Sequence, residues 1–340
     1  MRLLRSRLTL SGIAAATLAA FAIAACGDRS PRDTLVVFNA GSLARPLRAA
    51  LDTFAQRYNV RVEQESAGSL ESARKMTELG KTPDLIALAD ADVFPSYLMP
   101  AQVDGYVEFA RNRMVLAFTD RSNGQGSIDP TNWYQIITRT GIEVGRSDPD
   151  LDPNGYRTLM VWQLAERVYG VPGLAARLAT SAPPRNVRPK EADLIGLLEA
   201  GELDYIWSYE SIARAMKFHY ITFSDSLDLS NPALASFYAN ANVTVRGATR
   251  GTRVTFVGKP IVYAFAVPIA APHRAVAERF AAFLISTEGR EILRREGLDA
   301  LDSLLAVGAR PSWMPAPDSA TSAPNELPAR ADSARSPDRP

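Results

Sequence analysis

Short apolar runs alternate along this chain with stretches in which apolar residues recur every three or four positions, the pattern of strands feeding helices. Leu35, Val36, Val37 and Phe38 form the first run, followed by the turn Ala40, Gly41, Ser42, Leu43 and a helical pattern over residues 46–58. A strand over residues 60–65 then enters a second turn, Ala67, Gly68, Ser69, Leu70, and a helix over residues 71–79. Glycine allows the tight turn, and each serine brings a hydroxyl to a helix N-terminus. Taken singly, each is a capping serine. Carried by parallel neighbouring strands, both turns open at the carboxyl end of one sheet, where anions gather.

A third strand over residues 83–89 leads to Asp90 and Asp92, and an apolar strand over residues 113–119 leaves this first unit. Strands follow over 142–145, 204–209 and 220–223, separated by helices over 133–138, 156–169, 174–178, 192–200 and 210–217. Residues 241–255 alternate valine with polar residues around Gly247 and Gly251, a β-hairpin pattern. The apolar run over 259–268 is expected to return to the first unit, which helices over 273–286 and 287–296 complete. The expected fold is α/β with two lobes, mixed sheets and flanking helices. Lobe one is residues 34–118 with 260–312, lobe two is residues 119–259, and the two crossing strands are a hinge on which the lobes close over a ligand.

The densest chemistry lies in residues 143–157, where Asp148, Asp150 and Asp152 fall within five positions, interrupted by Pro149 and Pro153, between Arg146 and Arg157. An aspartate before a proline is helix N-cap grammar. Three acids in succession beside arginines also make a candidate binding loop.

At the N-terminus, Arg2, Arg5 and Arg7 precede an apolar run ending in small residues before Cys26, the single cysteine. This reads as an export signal over residues 1–25, with Cys26 lipidated as the first mature residue and residues 26–33 a linker to the membrane anchor. No thiol is then left for a disulfide, a metal or a nucleophile. Cleavage removes three of the 38 basic residues and none of the 37 acidic ones, leaving a net charge of about −2, which argues against a nucleic-acid partner. Residues 313–340, rich in Pro, Ala and Ser, are expected to be disordered. Nothing long and apolar remains for a subunit interface, so a monomer is expected.

Six segments in order resemble the periplasmic molybdate- and tungstate-binding proteins of ABC importers, in particular the archaeal-type branch. They are Asn39 to Leu43, Ser66 to Leu70, Ser72 to Met76, Gly145 to Arg157, Arg188 to Glu191, and Gly201 to Tyr209. The resemblance implies a type II periplasmic binding protein fold and no catalysis. It implies that Ser42 and Ser69 hold oxyanion oxygens from lobe one. From lobe two, Asp152, Pro153, Asn154, Glu191 and Tyr209 face the same anion, with the Asp152 and Glu191 carboxylates reaching the metal centre. Asn154 stands where that branch more often has a small residue or a cysteine. An ABC permease is the implied partner, and no cofactor is implied beyond the molybdate or tungstate carried.

A carboxylate beside a dianion is electrostatically costly: like charges about 4 Å apart repel by roughly 4 kcal/mol at an effective dielectric near 20. A hard, high-valent metal centre, helix N-termini and a shared proton can each offset this. Sulfate offers no such centre, so the carboxylates select against it. By position alone, Glu191 is also a first-turn acid and Tyr209 a core aromatic, while Arg146, Arg157 and Arg188 either neutralise the acidic loop or lie near the anion. His219 and His273 are isolated. A binding protein for sulfate or phosphate shares the fold and the serine turns. A serine hydrolase would need a Gly-x-Ser-x-Gly elbow or a histidine beside the serine turns, and the sequence has neither.

Overall fold

The computed structural model describes residues 33–314. The leader, Cys26 and the tail beyond Met314 lie outside the described residues. The strands are β1 (Thr34–Ala40), β2 (Arg61–Ala67), β3 (Leu85–Leu88), β4 (Gly105–Arg111), β5 (Met114–Phe118), β6 (Val144–Ser147) and β7 (Val187–Arg188). They continue with β8 (Tyr205–Tyr209), β9 (His219–Thr222), β10 (Asn242–Arg246), β11 (Arg253–Val257), β12 (Val262–Ala266) and β13 (Asp299–Gly308).

The first sheet runs β13-β4-β12-β3-β1-β2 and the second β7-β6-β8-β5-β9. Both are mixed in the same way. Parallel strands occupy one side (β2, β1, β3; β7, β6, β8), and an antiparallel strand that has crossed between lobes follows on the other, β12 in the first sheet and β5 in the second. Helices cover the sheets through apolar stripes. In Ala44–Tyr58 the buried positions are Pro46, Leu47, Ala50, Leu51 and Phe54, spaced as one helical face, and the helix stops at Asn59 in the left-handed region.

The chain passes between lobes through Asn112 and Arg113 and returns through residues 258–261. A third segment pins both crossings: Asp228 O accepts from Met114 N at 2.8 Å and Leu229 O from Ile261 N at 2.8 Å. The sequence reading ended lobe one at residue 118, but β5 pairs along its length with β8 and β9 and belongs to the second sheet. An apolar run shows that a strand is buried, not in which sheet. Two strands of the first sheet, β4 and β13, were not anticipated. Two residues of the tail expected to be disordered from residue 313 are packed on lobe one: Trp313 stacks on Phe265 with centroids 6.0 Å apart, and Met314 is buried.

The β10–β11 hairpin lies outside both sheets and touches both lobes. Phe256 stacks on Tyr156 of lobe two at 4.7 Å and on Tyr97 of lobe one at 6.4 Å. Arg246 pairs with Glu78 of lobe one while its N–H donates to Asp150 Oδ1 of lobe two at 2.7 Å.

Candidate functional site

The two serine turns stand where β1 and β2 end, on parallel neighbours as expected. Each hydroxyl accepts one bond: Ser42 Oγ from Tyr263 Oη at 3.0 Å, Ser69 Oγ from Ala89 N at 3.0 Å. Among the described residues neither hydroxyl donates to a protein acceptor, which leaves each with a proton to give.

Lobe two meets these turns with the loop of three aspartates. Asp148 Oδ1 accepts from Asp150 N, and Asp150 Oδ1 takes Arg246 N. Asp152 is the N-cap of the helix Pro153–Tyr169, with Pro153 at its first position and Asn154 N donating to Asp152 Oδ1 at 3.4 Å. Its other oxygen accepts from Glu191 N at 2.8 Å, which brings the two predicted carboxylates together. Glu191 in turn precedes the helix Ala192–Ala200. Its Oε1 accepts from Ser208 Oγ at 2.5 Å and Tyr209 N at 2.6 Å, whereas Oε2 is buried with no hydrogen-bond partner. Asn154 is buried, its amide oxygen 3.3 Å from Ser147 Oγ.

Burial pushes the Asp152 carboxyl up to about 6, against the bonds from Glu191 N and Asn154 N that favour its charged form. Burial also lifts Glu191 well above the ordinary carboxylate range. The Ser208 bond opposes this, and the charge of Asp152 adds to it. Two adjacent buried acids thus resist carrying two charges at once.

The lobes are shut on one another. Leu151 O accepts from Leu70 N at 3.1 Å and Glu71 N at 3.3 Å, and Arg74 Nη2 donates to Asp150 O at 2.7 Å. Gly68 makes this approach possible, since a Cβ there would stand 2.2 Å from Leu151 O. Arg157, expected either to neutralise the acidic loop or to lie near the anion, is paired with Asp90 of lobe one at 2.9 Å. Arg146 lies over Trp162 and donates to Ser147 O, and Arg188 donates to the carbonyls of Arg185 and Val187. His219 and His273 pair with Asp120 and Asp84, away from the cleft.

All seven predicted residues therefore belong to one buried assembly. Sequence reasoning missed Asp90, Tyr156, Ser208 and Tyr263, which hold it in place. Asp90 and Tyr263 carried a faint signal: Asp90 follows an apolar strand that ends at the serine turns, and Tyr263 lies near the start of one that begins there. A cavity of about 120 Å³ beside Ser42 separates Pro46 of lobe one from Ile195 and Ile212 of lobe two. A larger one of about 530 Å³ lies at the crossover among Arg111, Arg113, Glu210, Arg214 and Arg294 and includes none of the predicted residues.

Two lobes of like topology, joined by two crossings and closing on a polar, buried cleft, define a two-lobed binding protein of the type II periplasmic class. The chain belongs to the bacterial extracellular solute-binding protein family, whose model matches residues 35–299. It is an exported solute-binding protein and not an enzyme. A solute-binding protein of Petrotoga mobilis is 42% identical over 269 residues, covering 79% of this chain and 84% of that one. The molybdate/tungstate-binding protein WtpA of Pyrococcus abyssi is 36% identical over 304 residues, covering 82% and 87%. Among solved structures, the sulfate-binding protein SubI of Mycobacterium tuberculosis shares the fold with a TM-score of 0.54 and 14% identity, covering 80% and 88%.

Proposed function

We propose that the protein captures molybdate or tungstate between its lobes and delivers it to an ABC permease, tethered to the membrane through a lipid on Cys26. The observation that carries the ligand class is Glu191 Oε2, a buried carboxylate oxygen with no protein partner beside Asp152. In its ionised form such an oxygen finds nothing to bind on an oxyanion made only of hydrogen-bond acceptors. A six-coordinate metal centre gives it a partner, because a hard cation takes oxygen donors. Ser42 and Ser69 supply hydroxyl donors from lobe one and Tyr209 from lobe two. Asp152 and Glu191 approach the metal, and Pro153 and Asn154 start the helix whose N-terminus favours negative charge. The 36% identity to a molybdate/tungstate-binding relative supports the same reading.

Isothermal titration of the mature chain, freed of anion by unfolding and refolding, tests it with molybdate, tungstate, sulfate and phosphate. Tight binding of the first two alone is expected. Binding of sulfate or phosphate in their place would retain the serine turns and remove the role given to the carboxylates.

A further inference from the structure

The side chain of Arg157 is 3% exposed, and its guanidinium lies at the meeting of the two lobes. Nη1 donates to Ala89 O of lobe one at 2.7 Å and to Tyr209 Oη of lobe two at 2.8 Å, while Nη2 pairs with Asp90 Oδ2 at 2.9 Å. Tyr156 Oη donates to the same Asp90 oxygen. Burial alone would make the guanidinium easier to deprotonate, but Asp90 with Tyr209 and Tyr156 outweighs it, and the group is held cationic.

Two consequences follow from hydrogen-bond chemistry. A tyrosine hydroxyl has one proton and two acceptor positions. Since arginine only donates, its bond to Tyr209 fills an acceptor position and leaves the phenolic proton to be given elsewhere. Ala89, whose carbonyl Arg157 holds, also gives its N–H to Ser69 Oγ. One side chain thus sets the direction of the donor in lobe two and steadies the residue that orients a donor in lobe one. It does both only while Ala89 and Asp90 are within reach, with the lobes shut.

We infer that Arg157 is a positioning residue of the cleft, fixing the Tyr209 hydroxyl as a donor to the bound oxyanion and linking that orientation to lobe closure. The inference rests on the cleft assigned above. Lysine keeps the charge but has no planar fork to serve Ala89, Asp90 and Tyr209 together.

The test titrates molybdate, tungstate and sulfate into the mature parent chain and into Arg157→Lys, Tyr209→Phe and the double variant. Which anion binds the parent tests the ligand reading. The ratio of variant to parent for whichever anion binds tests the arginine. Arg157→Lys is expected to weaken binding on the order of 10- to 100-fold, the worth of a hydrogen bond to a charged group. Adding Tyr209→Phe to it should cost less than about twofold more, because the two act as one unit. Parent-like affinity in Arg157→Lys, or losses that multiply in full, would overturn the inference. Asp90→Asn provides a second route if Arg157→Lys does not fold, since it keeps the arginine and weakens its tie to lobe one. It should reduce both affinity and the compaction seen by small-angle scattering on anion addition, and parent-like values of both would equally overturn the inference.

Discussion

Replacing Gly68 with alanine separates lobe closure from lobe stability. Gly68 has φ −63° and ψ 149°, a conformation alanine adopts freely, so the first lobe loses nothing in its own backbone. Across the cleft the added methyl would stand 2.2 Å from Leu151 O and must move beyond 3.0 Å. Relief requires the loop at Leu151 to back away, which stretches its bonds from Leu70 N and Glu71 N, now 3.1 and 3.3 Å. At about 1 kcal/mol for each bond, closure loses roughly 2 kcal/mol. Anion affinity should fall about 30-fold, since every 1.4 kcal/mol is a factor of ten. Isothermal titration reads the affinity, and calorimetric melting of the ligand-free chain should give a midpoint within about 2 °C of the parent. A variant that binds like the parent would refute the argument that the lobes meet here in the ligand-bound state. So would one that melts much earlier with unchanged affinity.

Three further outcomes are expected. Ser42→Ala and Ser69→Ala should each weaken molybdate binding on the order of 10- to 100-fold in the same titration, as loss of a hydrogen bond to an anion implies; an unchanged affinity for either removes that turn from the site. Glu191→Gln keeps an acceptor for Ser208 and Tyr209 but replaces Oε2 with a donor, so molybdate should be lost while sulfate binding stays flat or rises; equal loss of both would show that the carboxylate does not discriminate. The third concerns pH. Asp152 holds its proton up to about 6 in the fold against 3.8 for an ordinary aspartate, so the folded state binds the proton more tightly than the unfolded one. This stabilisation is fully present below about pH 4 and is lost as pH rises through about 6, roughly 3 kcal/mol in all. Urea unfolding of the ligand-free parent should therefore lose stability relative to Asp152→Asn between pH 4 and about 6.5, and a flat difference would contradict the burial argument.

The site was more legible than the sheet that carries it. Its residues announce themselves because caps and turns are local: Ser42, Ser69 and Asp152 each lie at a strand-to-helix junction that the sequence spells out. That Asp152, and not Asp148 or Asp150, meets Glu191 depends on a contact between segments far apart in the chain, and nothing local reports it. The choice between the two roles open to Arg157, neutralising the loop or lying near the anion, was out of reach for the same reason, since its partner Asp90 lies in the other lobe. Strand β13 escaped because most of its positions are exposed or half-buried, so it shows no apolar alternation. Strand β4 is buried on both faces in a short run, a pattern that fits a helix segment as well.

The central place of β12 in the first sheet has a kinetic meaning. It lies between β3 and β4, yet all of lobe two intervenes in the chain before it is made. The second sheet needs only residues 114–222 and can assemble from one contiguous stretch. The first cannot: until β12 arrives, β3 and β4 have bare facing edges that would pair with any extended strand nearby. Refolding should therefore proceed with lobe two ahead and lobe one behind, slowed by its long-range pairing. For an exported protein that delay keeps one half of the chain loose until its last third has emerged, when β12 closes the sheet and brings Tyr263 to Ser42.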